Sequence, residues 1–220
     1  MRIEVLELKA QDLVKQNHFY GNVLGLTTEL SAAHLKVILP QSVLIFEKSD
    51  RTTPYHFAFN ICENQIHESC EWLKPRCEIL PDEDGLEIVD FPHWNAEAVY
   101  FLDAESNILE FIARHDLNNK SEQPFSSKSV QSISEIGCCG GDIKNDYQLV
   151  SEALGLEKYS GDFERFCAVG DPEGLLIMVT ANRNWYPTQI PSQPSDFGVR
   201  LSHNGKSMHF NYLDKELQLT

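Results

Sequence analysis

No apolar run in this chain of 220 residues is long enough to cross a bilayer. The longest stretches, such as Leu175-Leu176-Ile177-Met178-Val179, fall far short of the roughly 20 residues a membrane helix needs. The N-terminal MRIEVLELKAQD carries charges where a secretory signal needs its apolar stretch, so the expected location is cytoplasmic. C-x-x-C is also missing from the six cysteines, which argues against a zinc ribbon or a thioredoxin-like motif. They are expected to be reduced packing residues. Basic charge is scarce: 18 Lys+Arg stand against 33 Asp+Glu, a net charge of −15. Residues 1–115 carry −10 and the remainder −5, so neither half presents the basic stripe that a nucleic-acid phosphate backbone requires.

What is present describes a globular chain, 42% hydrophobic and 10% aromatic, with apolar residues spread along its length. The polar segment 116–128, DLNNKSEQPFSSK, reads as a linker between regions 1–115 and 129–220. A second polar, proline-rich stretch, 187–196, precedes a terminal piece in which Asn204-Gly205 separates two alternating runs. That dipeptide tolerates positive φ and predicts a hairpin.

The chain repeats itself. Asp12 to Gly25 and Asp142 to Gly155 each span 13 residues, Asp suited to a helix N-cap and Gly to the residue past its end. A unit of strand, helix and three strands recurs from near Ile3, Tyr55 and Ile133. In the middle copy the opening strand YHFAFNI puts Phe57, Phe59 and Ile61 on one face, with His56, Ala58 and Asn60 on the other. The aromatic face is expected against a helix over 65–73, opened by Asn64. On the closing strand Leu109 and Phe111 pack likewise, and Glu110 faces away. From the residues alone, His56 and Glu110 read either as a buried polar pair or as ligands on a concave face.

The segments DLVKQNHFYGNVLGL, YHFAFNI and NAEAVYFLDAESNILEFIAR, with Asp103, Asn107 and Glu110 spaced as D-x-x-x-N-x-x-E, resemble the vicinal oxygen chelate superfamily. That superfamily contains glyoxalase I, bleomycin- and fosfomycin-resistance proteins and extradiol dioxygenases. The resemblance is weaker in DIKNDYQLVSEALGL and DPEGLLIMV. It implies an α+β fold of tandem βαβββ modules with curled mixed sheets: a paired domain over 1–115, then an incomplete third module with a C-terminal hairpin over 129–220. It further implies a cleft metal. His56 and Glu110 match its first-strand and last-strand ligand positions in the second module. The matching first-module positions fall on Val5 and Phe46, and the third-module positions on Glu135 and Met178.

Two ligands are fewer than the usual three of a catalytic site. Glu7 and His93 are the candidates weighed for the third, and Val5 is expected in the cleft beside His56 and Glu110. His18, His34, His67, His115, His203 and His209 lack ligand spacing. Trp94, Trp185 and Tyr186 read as core, with pocket lining as the alternative. The functional expectation is a glyoxalase- or dioxygenase-like protein acting on a small oxygen-rich molecule through Fe, Mn, Zn or Ni, with Glu110 catalytic. The alternative is a metal-free, sequestering protein of the resistance type. Expected partners are a small molecule and possible homodimerisation through the odd module, without nucleic acid or membrane.

Overall fold

Asp12 and Asp142 open helices as their spacing predicts, each carboxylate accepting two backbone N–H groups at 3.0–3.1 Å. Such a cap contributes about 1 kcal/mol. Gly25 and Gly155 close them at φ of 63° and 73°, where a side chain would be strained. These caps belong to a computed structural model that describes residues 1–220.

Module one comprises β1 (Arg2–Ala10), α1 (Leu13–Asn17) widening into a π-helical turn (His18–Val23), β2 (Thr27–Leu30), β3 (His34–Ile38) and β4 (Val43–Lys48). Module two comprises β5 (His56–Ile61), α2 (Ile66–Leu73), β6 (Ile79–Leu80), β7 (Val89–Phe91), β8 (Ala96–Leu102) and β9 (Ile108–Arg114). Module three comprises β10 (Val130–Gly140), α3 (Ile143–Leu154), β11 (Lys158–Gly161), β12 (Phe166–Asp171) and β13 (Gly174–Thr180). A meander of β14 (Phe197–His203), β15 (Lys206–Leu213) and β16 (Glu216–Leu219) ends the chain. In every module the first strand runs parallel to the last, β1 with β4, β5 with β9 and β10 with β13. The fold is therefore α+β, with the expected βαβββ repeat. None of its helices is long and apolar enough to cross a membrane.

The order of pairing differs from that expected. Strand β5 pairs antiparallel with β10, joining module two to module three. Module one meets the meander instead, through antiparallel β1 and β14. Between the two halves, β1 and β10 share the single bridge pair Ile3 and Ile133, and side chains add further contacts, among them Gln16 and Tyr20 to Asp103 and Ser42 to the Ile133 amide. The meander thus covers module one, and the third module is the partner of the second. Asn204 and Gly205 form the expected two-residue hairpin turn, both at positive φ.

Both polar stretches are packed. Segment 116–128 lies along α2: the side chain of Gln65 donates to the Gln123 carbonyl at 2.7 Å, and Glu68 accepts from the Phe125 amide at 2.8 Å. Phe125 is buried against Trp72. Asn64 is bonded to Ser121 rather than capping α2. The six cysteines are unpaired, five of them buried.

Each sheet has two faces. The helix side carries the main core, including Leu6, Leu8, Phe46, Phe57, Phe111, Ile136 and Met178. On the opposite face of modules two and three lies a second cluster containing Ala58, Ala98, Ile112, Ala168, Ile177 and Trp185. Four alanines on that inner face, Ala58, Ala96, Ala98 and Ala168, leave room that larger residues would fill.

Candidate metal and ligand site

Strand alternation brings His56 and Glu110 to the inner face, and the register of β5 on β9 fixes their separation: Glu110 stands beside Ala58, two residues beyond His56. The turn before β9 enforces that register. Asp103 is buried and accepts from the Glu105 and Asn107 amides, the Asn107 side chain, Gln16 and Tyr20, at 2.7–3.0 Å. Asn107 in turn accepts from the Tyr55 amide at 2.9 Å, pinning the start of β5 to the start of β9. Asp103 and Asn107 are thus the positioning frame of Glu110.

A third candidate ligand comes from module three. Strand β10 carries a bulge between Ile133 and Glu135, so that Ile133 and Ile136 both face the main core while Glu135 turns to the inner face opposite Ala58. Bulges re-aim side chains in this way beside functional sites. One ligand atom each from His56, Glu110 and Glu135 lies within 4.8 Å of the others, with His56 Nε2 3.9 Å from Glu110 Oε2. All three residues are at most 7% exposed. His56 Nδ1 lies 3.2 Å from the Ile108 carbonyl, a contact that places the ring proton on Nδ1 and leaves the Nε2 lone pair towards the carboxylates.

Neither residue weighed from the sequence as a third ligand joins His56 and Glu110, whereas Glu135, at the third-module position that the resemblance implies, does. Val5 lies on the inner face of module one, beside Val43 and Arg200, and not with His56. Glu7 pairs with His209 at 3.1 Å, and His93 is exposed on the turn Pro92–Trp94. The last-strand positions were also displaced by one residue. Phe46 and Met178 face the main core, whereas the parallel registers place Ile45 and Ile177 at the positions equivalent to Glu110. A slip of one residue along a strand exchanges its faces.

Burial dominates the electrostatics. It lowers the pKa of His56 from 6.5 to about 4, opposed by the Ile108 carbonyl and reinforced by Arg183, so the ring is neutral. Burial and the neighbouring Glu135 hold Glu110 well above the usual carboxylate range, with Arg114 and Tyr100 opposing. Glu135 is raised less, because Arg114 forms a salt bridge with it. The Arg114 guanidinium is fully buried, donates from Nε to Ser134 at 3.2 Å and lies 5.4 Å from the Trp94 ring centre. Tyr100 is pushed well above the phenol range by burial and by Glu110, and remains a proton donor.

The triad lines a cavity of about 230 Å³, with walls of Phe91, Trp94, Tyr100, Phe166, Ile177, Arg183, Trp185 and Tyr186. Trp94, Trp185 and Tyr186 are therefore pocket residues. Arg183, Trp185 and Tyr186 come from segment 181–196, which folds back on itself through Ser192: its amide donates to the Arg183 carbonyl at 2.7 Å and its hydroxyl to the Thr180 carbonyl at 3.0 Å. Gly137 permits the lid to seat. A Cβ there would lie 2.6 Å from Trp185 Cη2, and the Trp185 ring centre is 5.0 Å from that of His56.

No protein-family model and no curated protein matches the sequence. Solved structures do. A putative dioxygenase from Bacillus subtilis matches with a TM-score of 0.62 at 10% identity, over 99% of this chain and 83% of its own. A lactoylglutathione lyase from Agrobacterium tumefaciens matches over 50% of this chain and 90% of its own, at 17% identity and a TM-score of 0.43. A fosfomycin resistance protein from Listeria monocytogenes matches over 51% and 89%, at 19% identity and a TM-score of 0.40. Three parallel-closed βαβββ modules and a likeness running the length of the chain together identify the architecture as the vicinal oxygen chelate fold.

Proposed function

We propose that this protein is a glyoxalase- or dioxygenase-type enzyme that acts on a small oxygen-rich molecule at a divalent ion held by His56, Glu110 and Glu135. The observation that carries this reading is the convergence of three buried ligand atoms within 4.8 Å on the floor of an aromatic cavity. The donor set fits such an ion: a neutral imidazole with Nε2 unprotonated and two carboxylates make the usual three protein ligands, and the cavity leaves space for a substrate. A bound divalent ion would supply Lewis acidity to two adjacent substrate oxygens.

The chain's own residues supply the rest. Trp94, Phe166, Trp185 and Tyr186 exclude water, which strengthens each polar contact inside. Tyr100, beside Glu110 and firmly protonated, can donate a hydrogen bond to a substrate oxygen. Glu110, on the cavity floor beside Tyr100, is the catalytic carboxyl of this reading.

One observation favours the metal-free alternative, a sequestering protein. Arg114 already neutralises Glu135, and a protonated Glu110 beside a neutral His56 leaves the floor balanced without an ion. Elemental analysis of protein purified without a metal-binding tag separates the two. The enzyme reading expects near-stoichiometric Fe, Mn, Zn or Ni that is lost in His56→Ala, and metal-free wild type would favour sequestration.

A further inference from the structure

The cavity contains one cation without a counter-ion. Arg183 lies on the lid 181–196, half-buried, with its guanidinium 5.0 Å over the Phe166 ring. Its side chain has no carboxylate within salt-bridge range and no hydrogen-bond partner, although the chain has 33 acidic residues to offer. Arg165, exposed at the end of the lid's neighbouring hairpin, adds positive potential at this mouth. A cation partly withdrawn from water is costly unless something pairs with it.

The walls restrict shape and size. The rings of Trp94 and Phe166 lie 6.4 Å apart and within 24° of parallel, and Tyr186 meets Tyr100 edge-on at 5.6 Å. Flat, rigid walls of this kind suit a flat ligand. A dry cavity of roughly 150 Å³ admits benzene. The 230 Å³ found here therefore has room for one substituted ring. Trp185 Nε1 is buried in the same wall and has no partner, a second polar group left unsatisfied by the protein itself.

From these observations we infer that Arg183 is the specificity-determining residue of the cavity, binding the anionic group of a planar, single-ring ligand. The inference deepens the small-molecule reading of the same pocket and does not depend on a metal.

The test is a fluorescence titration of EDTA-stripped protein with benzoate and with its neutral near-isostere benzamide, read through tryptophan quenching. Benzoate is expected to bind saturably and about tenfold or more tightly than benzamide, because a charged hydrogen bond is lost in the amide. Arg183→Gln is expected to erase that preference, and Arg183→Lys to keep part of it, with circular dichroism confirming that each variant is folded. Equal binding of the two probes, no saturable binding of benzoate, or a preference that survives Arg183→Gln would each overturn the proposal. Because no ion is present, wild type that binds no metal yet prefers benzoate would end only the metal reading. Metal binding without the anion preference would end only this one.

Discussion

Two buried carboxyl groups beside a neutral imidazole cannot all be charged without compensation, and the residue scale shows how that conflict is held. Glu110 has its pKa raised above 4.5, so the folded metal-free protein favours its acid form. The stability that Glu110 contributes is present below the unfolded value of 4.5 and is lost as pH rises through the folded value. His56 acts in the opposite direction. Its folded pKa of about 4 lies below 6.5, so stability is full above 6.5 and falls as pH drops towards 4. Glu110→Gln copies the acid form. It is expected to stabilise the metal-free protein by roughly 1 kcal/mol at pH 8, read from urea unfolding, while weakening ion binding. His56→Gln should flatten the loss of stability between pH 6.5 and 4 in the same assay. Gly137→Ala tests the lid: the added methyl meets Trp185, and a red-shifted tryptophan emission with weakened benzoate binding is expected. His56 and Glu110 were legible in the sequence because alternation along β5 and β9 is regular. The resemblance set Glu135 at a third-module ligand position, but a regular period from Ile133 puts it on the core face, and only the bulge at Ser134 turns it towards His56 and Glu110.

Among the elements, the turn from β8 to β9 and the lid decide whether the ligands meet. Asp103 gathers five donors, so Asp103→Ala strands several buried polar groups and loosens β9. A loss of roughly 2–4 kcal/mol in chemical denaturation is expected, with weaker metal binding through misplacement of Glu110. The Asp–Asn–Glu spacing was visible in the sequence, and so were the helix caps at Asp12 and Asp142. The roles of 116–128 and 181–196 were hidden. Both are polar and aperiodic, and both are anchored by individual hydrogen bonds, 116–128 to the side chains of Gln65 and Glu68 and 181–196 to the Thr180 carbonyl, which no local pattern announces.

The whole molecule is two paired halves. Repetition of the βαβββ unit was legible because each copy carries its own caps and strand periods. The partner of each copy was not, because pairing of β5 with β10 and of β1 with β14 depends on long-range fit between inner faces. The odd module is thereby resolved: it completes the site of module two, and the meander protects the edge of β1. Deleting residues 197–220 would strip that edge and expose the part of the main core that Val199, Leu201 and Phe210 complete. Aggregation at low micromolar concentration is expected by light scattering, and a monodisperse, folded truncation would contradict the topology argument.

In the proposed reading, modules two and three share one divalent ion through His56, Glu110 and Glu135. Calorimetric titration of Mn²⁺ into EDTA-stripped protein tests it most directly, using wild type, Glu110→Gln, and the double variant Glu135→Gln/Arg114→Gln. The double change keeps the buried charge balanced, because Arg114 alone would be left unpaired. Single-site binding is expected in wild type, weakened at least about tenfold in both variants. Wild type that binds no ion, or a Glu135→Gln/Arg114→Gln protein that binds Mn²⁺ as tightly as wild type, would contradict the claim.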